Sequence, residues 1–242
     1  RLPEIRELIL DYAPDLLGLQ EMETDNDIKA IASFDQYTLV SYHLGGLQYG
    51  DSALLYKTAR FDQLDSGQLW LGPNPELPMS LGFSPLAMIR YSNWVLLREK
   101  STGFTFMFVN THFDNAGKNK EPSAVLFHDR IARLTAGLPM IVSGDFNTTA
   151  NTERYNRFTG KNEHQQLLEN TYDISENQPV GESKSHPDQL IDHILAGGPC
   201  KVEVDQWLVD TRKLKNGQPM SDHNPVFVRL NFSKPEIPDA SH

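Results

Sequence analysis

Five short apolar runs in this chain each meet a polar cluster at one end, and that recurrence restricts the fold more than any other feature of the sequence. Leu16 to Gln20 delivers Glu21, and the run from Phe104 carries Asn110-Thr111-His112-Phe113-Asp114. Met140 to Val142 leads into Ser143-Gly144-Asp145-Phe146-Asn147, the run from Leu190 carries Ile191-Asp192-His193, and Ser221-Asp222-His223-Asn224-Pro225 borders Val226 to Asn231. Brief apolar runs bounded by Gly, Pro, Asn or Asp read as buried strands. In the run before Gly144, period-2 alternation places Asp145 and Asn147 on one face, with Gly144 opening the chain where the strand stops. A carboxylate and a carboxamide side by side can hold a metal-bound water or a phosphate oxygen. Any one cluster also fits a turn, a helix cap or a satisfied core histidine. Five on separate strands fit a shared site better.

The remaining elements follow the same logic. Leu2, Ile5, Leu8, Ile9 and Tyr12 recur at helical spacing, and Pro14 with Asp15 stops that helix. Asp25 to Phe34 and Val125 to Leu138 read as two more helices. Thr38 to Tyr42 and Ser52 to Tyr56 read as strands joined across Gly45, Gly46 and Gly50, Gly67 to Leu71 as a further strand, and Met88 to Arg98 pairs through Ser101-Thr102-Gly103 with the run from Phe104. Pro73, Pro75, Pro78 and Pro85 exclude regular structure between Gly72 and Pro85. Asn151 to Lys184 is polar and reads as helix and loops, and Val202 to Val209 as a late strand. Helices falling between strands, with recurrent hairpin turns, predict two mostly antiparallel sheets packed face to face with helices outside: an α/β, four-layer α/β/β/α sandwich. No linker interrupts it, so residues 1–232 are expected to form a single domain and 233–242 a frayed tail.

Charge narrows the partners. Against 22 basic residues stand 32 acidic ones, a formal net of -10 and a pI near 5.2. That disfavours a non-specific grip on a long polyanion, whose affinity comes from Lys and Arg releasing counterions, and leaves room for a small phosphorylated substrate beside a bound cation. Cys200 is the sole cysteine, which excludes an internal disulfide and a cysteine-rich zinc site. No apolar run approaches the ~20 residues of a membrane span, and the compartment stays open.

The motif order resembles that of the endonuclease/exonuclease/phosphatase (DNase I-like) superfamily: strand-Gln20-Glu21, Asn110-Thr111-His112, Gly144-Asp145-Phe146-Asn147, Ile191-Asp192 and Ser221-Asp222-His223. Ser66-Gly67-x-Leu69-Trp70-Leu71-Gly72 with Pro75, and Arg90-Tyr91-Ser92-x-Trp94, resemble a bacterial group near its deadenylase-type branch. The resemblance implies a divalent-metal-dependent phosphoesterase using Mg²⁺, with Mn²⁺ as a substitute. It implies Glu21 as the main metal ligand and Asp222 as a second, Asp145 and Asn147 at the attacking water and the phosphate, and His223 on the scissile phosphate or in proton transfer. Asp192 would set the His223 tautomer, His112 would bond a phosphate oxygen with Arg90 opposite it, and Asn110 would brace the site.

Two departures stand out: Asp51 where many members carry a Glu that orients the histidine of Asn-Thr-His, and Glu182 to Pro187 where many carry a Thr-Phe-x-Gly-Phe element. The resemblance also implies a strand ahead of Arg1, ending in an Asn beside Glu21. The implied substrate is a nucleic acid end, a nucleotide or a small phosphorylated metabolite, handled by a monomer. Lys118 and Lys120 in a loop after Asp114, with Trp70, Trp94, Tyr155 and Phe158, could grip a short single strand by stacking, or be core and solvated loop. The competing class is a non-catalytic ligand-binding module that keeps the fold; such a module is expected to lose one of Glu21, Asp145, Asn147, Asp222 or His223, and all are present.

Overall fold

The computed structural model describes residues 1–22, 25–32, 35–40, 52–85, 87–135, 137–150, 152–159, 168–177, 184–186 and 189–233. In chain order the elements are α1 (Leu2–Tyr12), β1 (Leu16–Gly18), α2 (Asp25–Ala32), β2 (Tyr37–Val40), β3 (Leu54–Lys57), β4 (Phe61–Trp70), β5 (Tyr91–Glu99), β6 (Thr105–His112), α3 (Gly117–Thr135), β7 (Met140–Asp145), α4 (Glu153–Thr159), β8 (Leu168–Asn170), β9 (Asp192–Gly197), β10 (Lys201–Val209) and β11 (Val226–Ser233). One sheet runs β4-β5-β6-β7-β9-β8; the others are β1-β3-β2 and β10-β11. Among the strands of the described residues only β6 and β7 pair in parallel, and α3 makes the crossover that such a pair requires.

Alternation along the strands divides the apolar residues among three cores. Leu54 and Tyr56 of β3, Phe106 and Phe108 of β6, Ile141 of β7 and Trp207 of β10 pack between the sheets. Leu55 turns the other way, onto Ile9 and Ile31 from α1 and α2. Met107, Val109 and Val142 meet Ala124, Phe127 and Ile131 of α3 and Phe158 of α4. The order across the molecule is therefore helices, sheet strands, sheet strands, helices, which is the expected α/β/β/α sandwich.

Several boundaries differ from the sequence reading. The third helix starts at Gly117 rather than Val125, so Lys118 and Lys120 lie on a helix and not in a loop. Periodicity registers only the buried stripe, whereas the actual start is set by Asp114, whose carboxylate accepts from the Ala116 N–H at 3.0 Å and from Asn119 Nδ2 at 2.6 Å. Pro122 lies inside this helix, in its second turn, and removes one backbone donor there. The fourth strand begins at Phe61, with a bulge between Gln63 and Asp65, and its exposed polar middle hid it from an apolar search. The short strand Leu168–Asn170 was concealed the same way inside a polar segment.

The expected hairpin loop around Gly45, Gly46 and Gly50 lies outside the described residues, as does 234–242 of the expected tail, although β2 and β3 do pair antiparallel. Among the described residues β1 and β11 are each hydrogen-bonded to a strand on one side only, and no described strand occupies the place of the one expected ahead of Arg1.

Candidate active site

Strand register assembles the site. His112 on β6 is the cross-strand partner of Asp145 on β7, and Asp145 is the partner of Asp192 on β9. Residues opposite one another across a sheet present their side chains to the same face, about 5 Å apart, so three strand ends set an imidazole and two carboxylates in one row. The loop bearing Ser221-Asp222-His223 then brings His223 Nδ1 to 2.8 Å from Asp192 Oδ2. Ligand atoms of Asp145, Asp192 and His223 all lie within 4.8 Å of one another.

Asp145 is fixed from two sides. Its Oδ1 accepts from the Asn147 backbone N–H at 2.7 Å, while His112 Nε2 stands 3.4 Å from its Oδ2. Arg90 donates to His112 Nδ1 at 2.8 Å. A guanidinium can only donate, so in that bond Nδ1 accepts and the imidazole proton is on Nε2, facing Asp145. Arg90 thus lies directly against His112, which is only 2% exposed and turns its Nε2 towards Asp145. Asp145 and Asn147 do meet, but through a turn: Asn147 takes a left-handed φ of 46°, and its Nδ2 donates to the Phe113 carbonyl at 2.8 Å. Gly144 does not open the chain. It continues β7 with a φ of 153°, where an added Cβ would lie 2.0 Å from the Thr111 carbonyl oxygen; glycine is required for the close approach of β6.

The charges are coupled. Burial, and then Asp192, push the Asp145 pKa up, against the opposing pull of His112, the Asn147 N–H and His223. The hydrogen bond from Asp192 raises the His223 pKa to about 9, against desolvation and helped by the charges of Asp192, Asp145 and Asp222. At neutral pH His223 is therefore an imidazolium. For Asp222, the upward effect of burial is outweighed by its own backbone N–H, the Ser221 hydroxyl, His223 and His186, so its pKa is lowered.

Asn110 braces this site across both sheets. Completely buried, its Nδ2 donates to the carbonyls of Leu19 at 2.9 Å and Ala53 at 2.8 Å. Its Oδ1 accepts from Gln20 Nε2 at 2.7 Å and Ser143 Oγ at 3.0 Å. Gly18 leaves the room for it, since a Cβ there would sit 2.4 Å from both Asn110 Oδ1 and Ser143 Oγ. The brace holds the end of β1, where Glu21 is exposed with a left-handed φ of 58°, a strained backbone of the kind found at functional positions.

The model of the Endonuclease/Exonuclease/phosphatase family matches residues 3–223. This chain belongs to that family. It is 25% identical to the endonuclease/exonuclease/phosphatase from Bacteroides vulgatus, over 96% of this chain and 90% of that one, with a TM-score of 0.81. It is 28% identical to the mannosyl-6-phosphatase of Bacteroides thetaiotaomicron, over 96% and 91%, again with a TM-score of 0.81. The human Nocturnin catalytic domain with bound sulfate anion shares the fold at 21% identity and a TM-score of 0.75, over 96% and 86% of the two chains. No curated protein matches the chain.

Within this family frame, the remaining predicted positions sort by geometry. Glu21 and Asp222 stand outside the group of three whose ligand atoms converge, and Asp51 lies outside the described residues. Trp70, Tyr155 and Phe158 are core side chains and Trp94 packs against that core, so they offer no platform for stacking bases. His193, beside Asp192 in sequence, points the opposite way. It is buried among aromatic rings and bonded to the Thr148 carbonyl at 2.7 Å, with its pKa lowered by desolvation.

The sequence reading missed His186, whose ring lies edge-on to His223 at 5.1 Å. Its neighbour Ser185 is fully buried; the Ser185 hydroxyl accepts from the Asp192 N–H at 3.1 Å and its carbonyl from the Asn224 N–H at 2.5 Å. The signal was the unusual Glu182 to Pro187 segment, but a departure from a motif does not by itself say what replaces it.

Proposed function

We propose that this protein hydrolyses a phosphodiester or phosphomonoester with the help of a divalent cation. The observation that carries the reading is the convergence of Asp145, Asp192 and His223 within 4.8 Å, with the two carboxylates close enough for Asp192 to raise the Asp145 pKa. Like charges held together in a partly buried site are relieved by a cation, and hard carboxylate oxygens suit Mg²⁺ or Mn²⁺. The carboxylates of the central group would hold it, and we assign Glu21 and Asp222 as its further ligands. Bound there, it would neutralise phosphoryl charge and acidify a coordinated water.

The chain's own residues have separate tasks. Asp145, aimed by the Asn147 N–H and His112, accepts the proton of the attacking water. His223, kept charged by Asp192, donates to a non-bridging phosphate oxygen or to the leaving oxygen. Arg90 fixes His112 and places a positive charge behind it. Asn110 holds the Glu21 strand against β6 and β7. The substrate class is a nucleic acid end, a nucleotide or a small phosphorylated metabolite, and the protein acts as a monomer with residues 1–232 as its working domain.

A panel of phosphodiesters and phosphomonoesters, assayed with Mg²⁺ or Mn²⁺ and with excess chelator, tests this. Release of alcohol or phosphate that disappears with chelator and returns with metal is expected. Hydrolysis untouched by chelation would remove the metal from the reading, and no hydrolysis across the panel would favour a binding module.

A further inference from the structure

Next to the site stand two cations that the hydrolytic roles do not use. Lys120, in the first turn of α3, donates from Nζ to the Asn147 carbonyl at 2.9 Å. Arg154, in the first turn of α4, donates from Nε to Thr148 Oγ1 at 2.8 Å, and Thr148 is itself buried. The two are thus fastened to consecutive residues of the loop that leaves Asp145.

Their charges are mutually felt. Desolvation first, then Arg154, lower the Lys120 pKa, with Asp145 and Asp114 acting the other way. Among the described residues neither forms an ion pair, whereas Arg157, one turn further along α4, is satisfied by Glu121 at 3.3 Å and reaches Glu153 at 4.0 Å. In a chain with a net charge of -10, acidic partners are plentiful. Keeping two like charges together without one is unfavourable unless an anion completes the arrangement.

We propose that Lys120 and Arg154 form a subsite for a phosphate group of the substrate other than the one being hydrolysed. Through this, the protein prefers substrates carrying at least two phosphates over simple monoesters. The inference rests on the hydrolytic reading for its meaning, but the subsite can be tested without turnover. The Lys Nζ serves as a point charge, while the planar guanidinium of Arg154, whose Nη1 and Nη2 have no partner among the described residues, suits paired contact with phosphate oxygens.

The experiment is calorimetric titration of inorganic pyrophosphate into chelator-treated, metal-free protein, in parallel with Michaelis kinetics of the metal-loaded protein. The kinetic arms use bis(p-nitrophenyl) phosphate, which has only the scissile group, a short oligothymidylate, and a sugar bisphosphate; the last two distinguish a nucleic acid source of the second phosphate from a metabolite. Pyrophosphate affinity should fall at least about tenfold in K120A/R154A and be retained in K120R, which keeps both charges and the Arg154 guanidinium. The ratio of KM for the multiply phosphorylated substrate to KM for bis(p-nitrophenyl) phosphate should rise by a similar factor. K118A, an exposed lysine on the same helix, controls for general charge. Equal pyrophosphate affinity in parent and K120A/R154A, or an equal loss in K118A, overturns the subsite. Should the alanine variant not fold, K120Q/R154Q is judged by the same criteria. A panel with no hydrolysis at all would defeat the hydrolytic reading while the pyrophosphate titration still decides the subsite.

Discussion

Replacing Asp192 by Asn separates the electrostatic part of the Asp192–His223 contact from its shape. In the parent, the hydrogen bond at 2.8 Å and the Asp192 charge are the main favourable contributions that carry His223 from 6.5 to about 9. Asn keeps the volume and an acceptor oxygen but removes the charge, leaving only Asp145 and Asp222 to favour the imidazolium against desolvation. The His223 midpoint should therefore fall by more than about one unit, towards 6.5, and each unit is worth about 1.4 kcal/mol.

The sign of the linkage is fixed by the raised value. The charged His223 stabilises the folded state fully below pH 6.5, and that contribution is lost as pH rises through about 9. The interval corresponds to about 3 kcal/mol at most, and to roughly 1–2 kcal/mol once solvent screening of a partly exposed side chain is allowed for. The assay is an NMR titration of the histidine Cε1–H signals in metal-free protein, with urea midpoints measured on both sides of that interval. A parent His223 that titrates near its ordinary value, or a D192N midpoint unchanged from the parent, would refute the dyad.

Three further outcomes follow from the geometry. Asn110→Ala takes the side-chain donor from the carbonyls of Leu19 and Ala53, of which Ala53 keeps the Leu19 N–H at 2.8 Å, and it opens a void between the sheets, so urea unfolding should show a loss of about 2–4 kcal/mol; a loss below about 0.5 kcal/mol would mean that the brace is dispensable. Gly144→Ala should cost more than about 3 kcal/mol, because its Cβ would collide with backbone at 2.0 Å, whereas at Gly103 nothing lies within 4 Å of an added Cβ. Ala at Gly103 should therefore cost only about 1 kcal/mol for its positive φ, and equal costs at the two positions would contradict the close-approach argument. Glu21→Gln should raise the metal concentration needed for half-maximal activity; an unchanged requirement would remove Glu21 from the metal site.

The layers and the strands that carry the candidate site were legible in sequence because burial on both faces leaves near-continuous apolar runs, and polar residues at their ends have no packing reason to be there. Even the row of His112, Asp145 and Asp192 was implicit, since each stands at an end of its own strand. Register, however, is a tertiary property: only pairing across β6, β7 and β9 makes these three neighbours, and no local signal shows that Arg90 lies on His112. Helix starts fixed by side-chain bonds, as at Asp114, escape periodicity altogether. His186 was illegible, and Lys120 reads only as a loop lysine, for a related reason. Each acquires meaning from a partner distant in sequence, His223 in one case and the Asn147 carbonyl in the other. In contrast, His193 shares a polar cluster with Asp192, but alternation turns it into the core.

The most direct test of the central claim is the initial rate of phosphate ester hydrolysis by Asp145→Asn beside the parent protein, at saturating Mn²⁺, with thermal unfolding of both recorded. The carboxamide preserves size but cannot take a proton from water, so kcat should fall at least ~10²-fold while the variant stays folded. A folded Asp145→Asn protein that hydrolyses the ester at the parental rate would place the chemistry elsewhere.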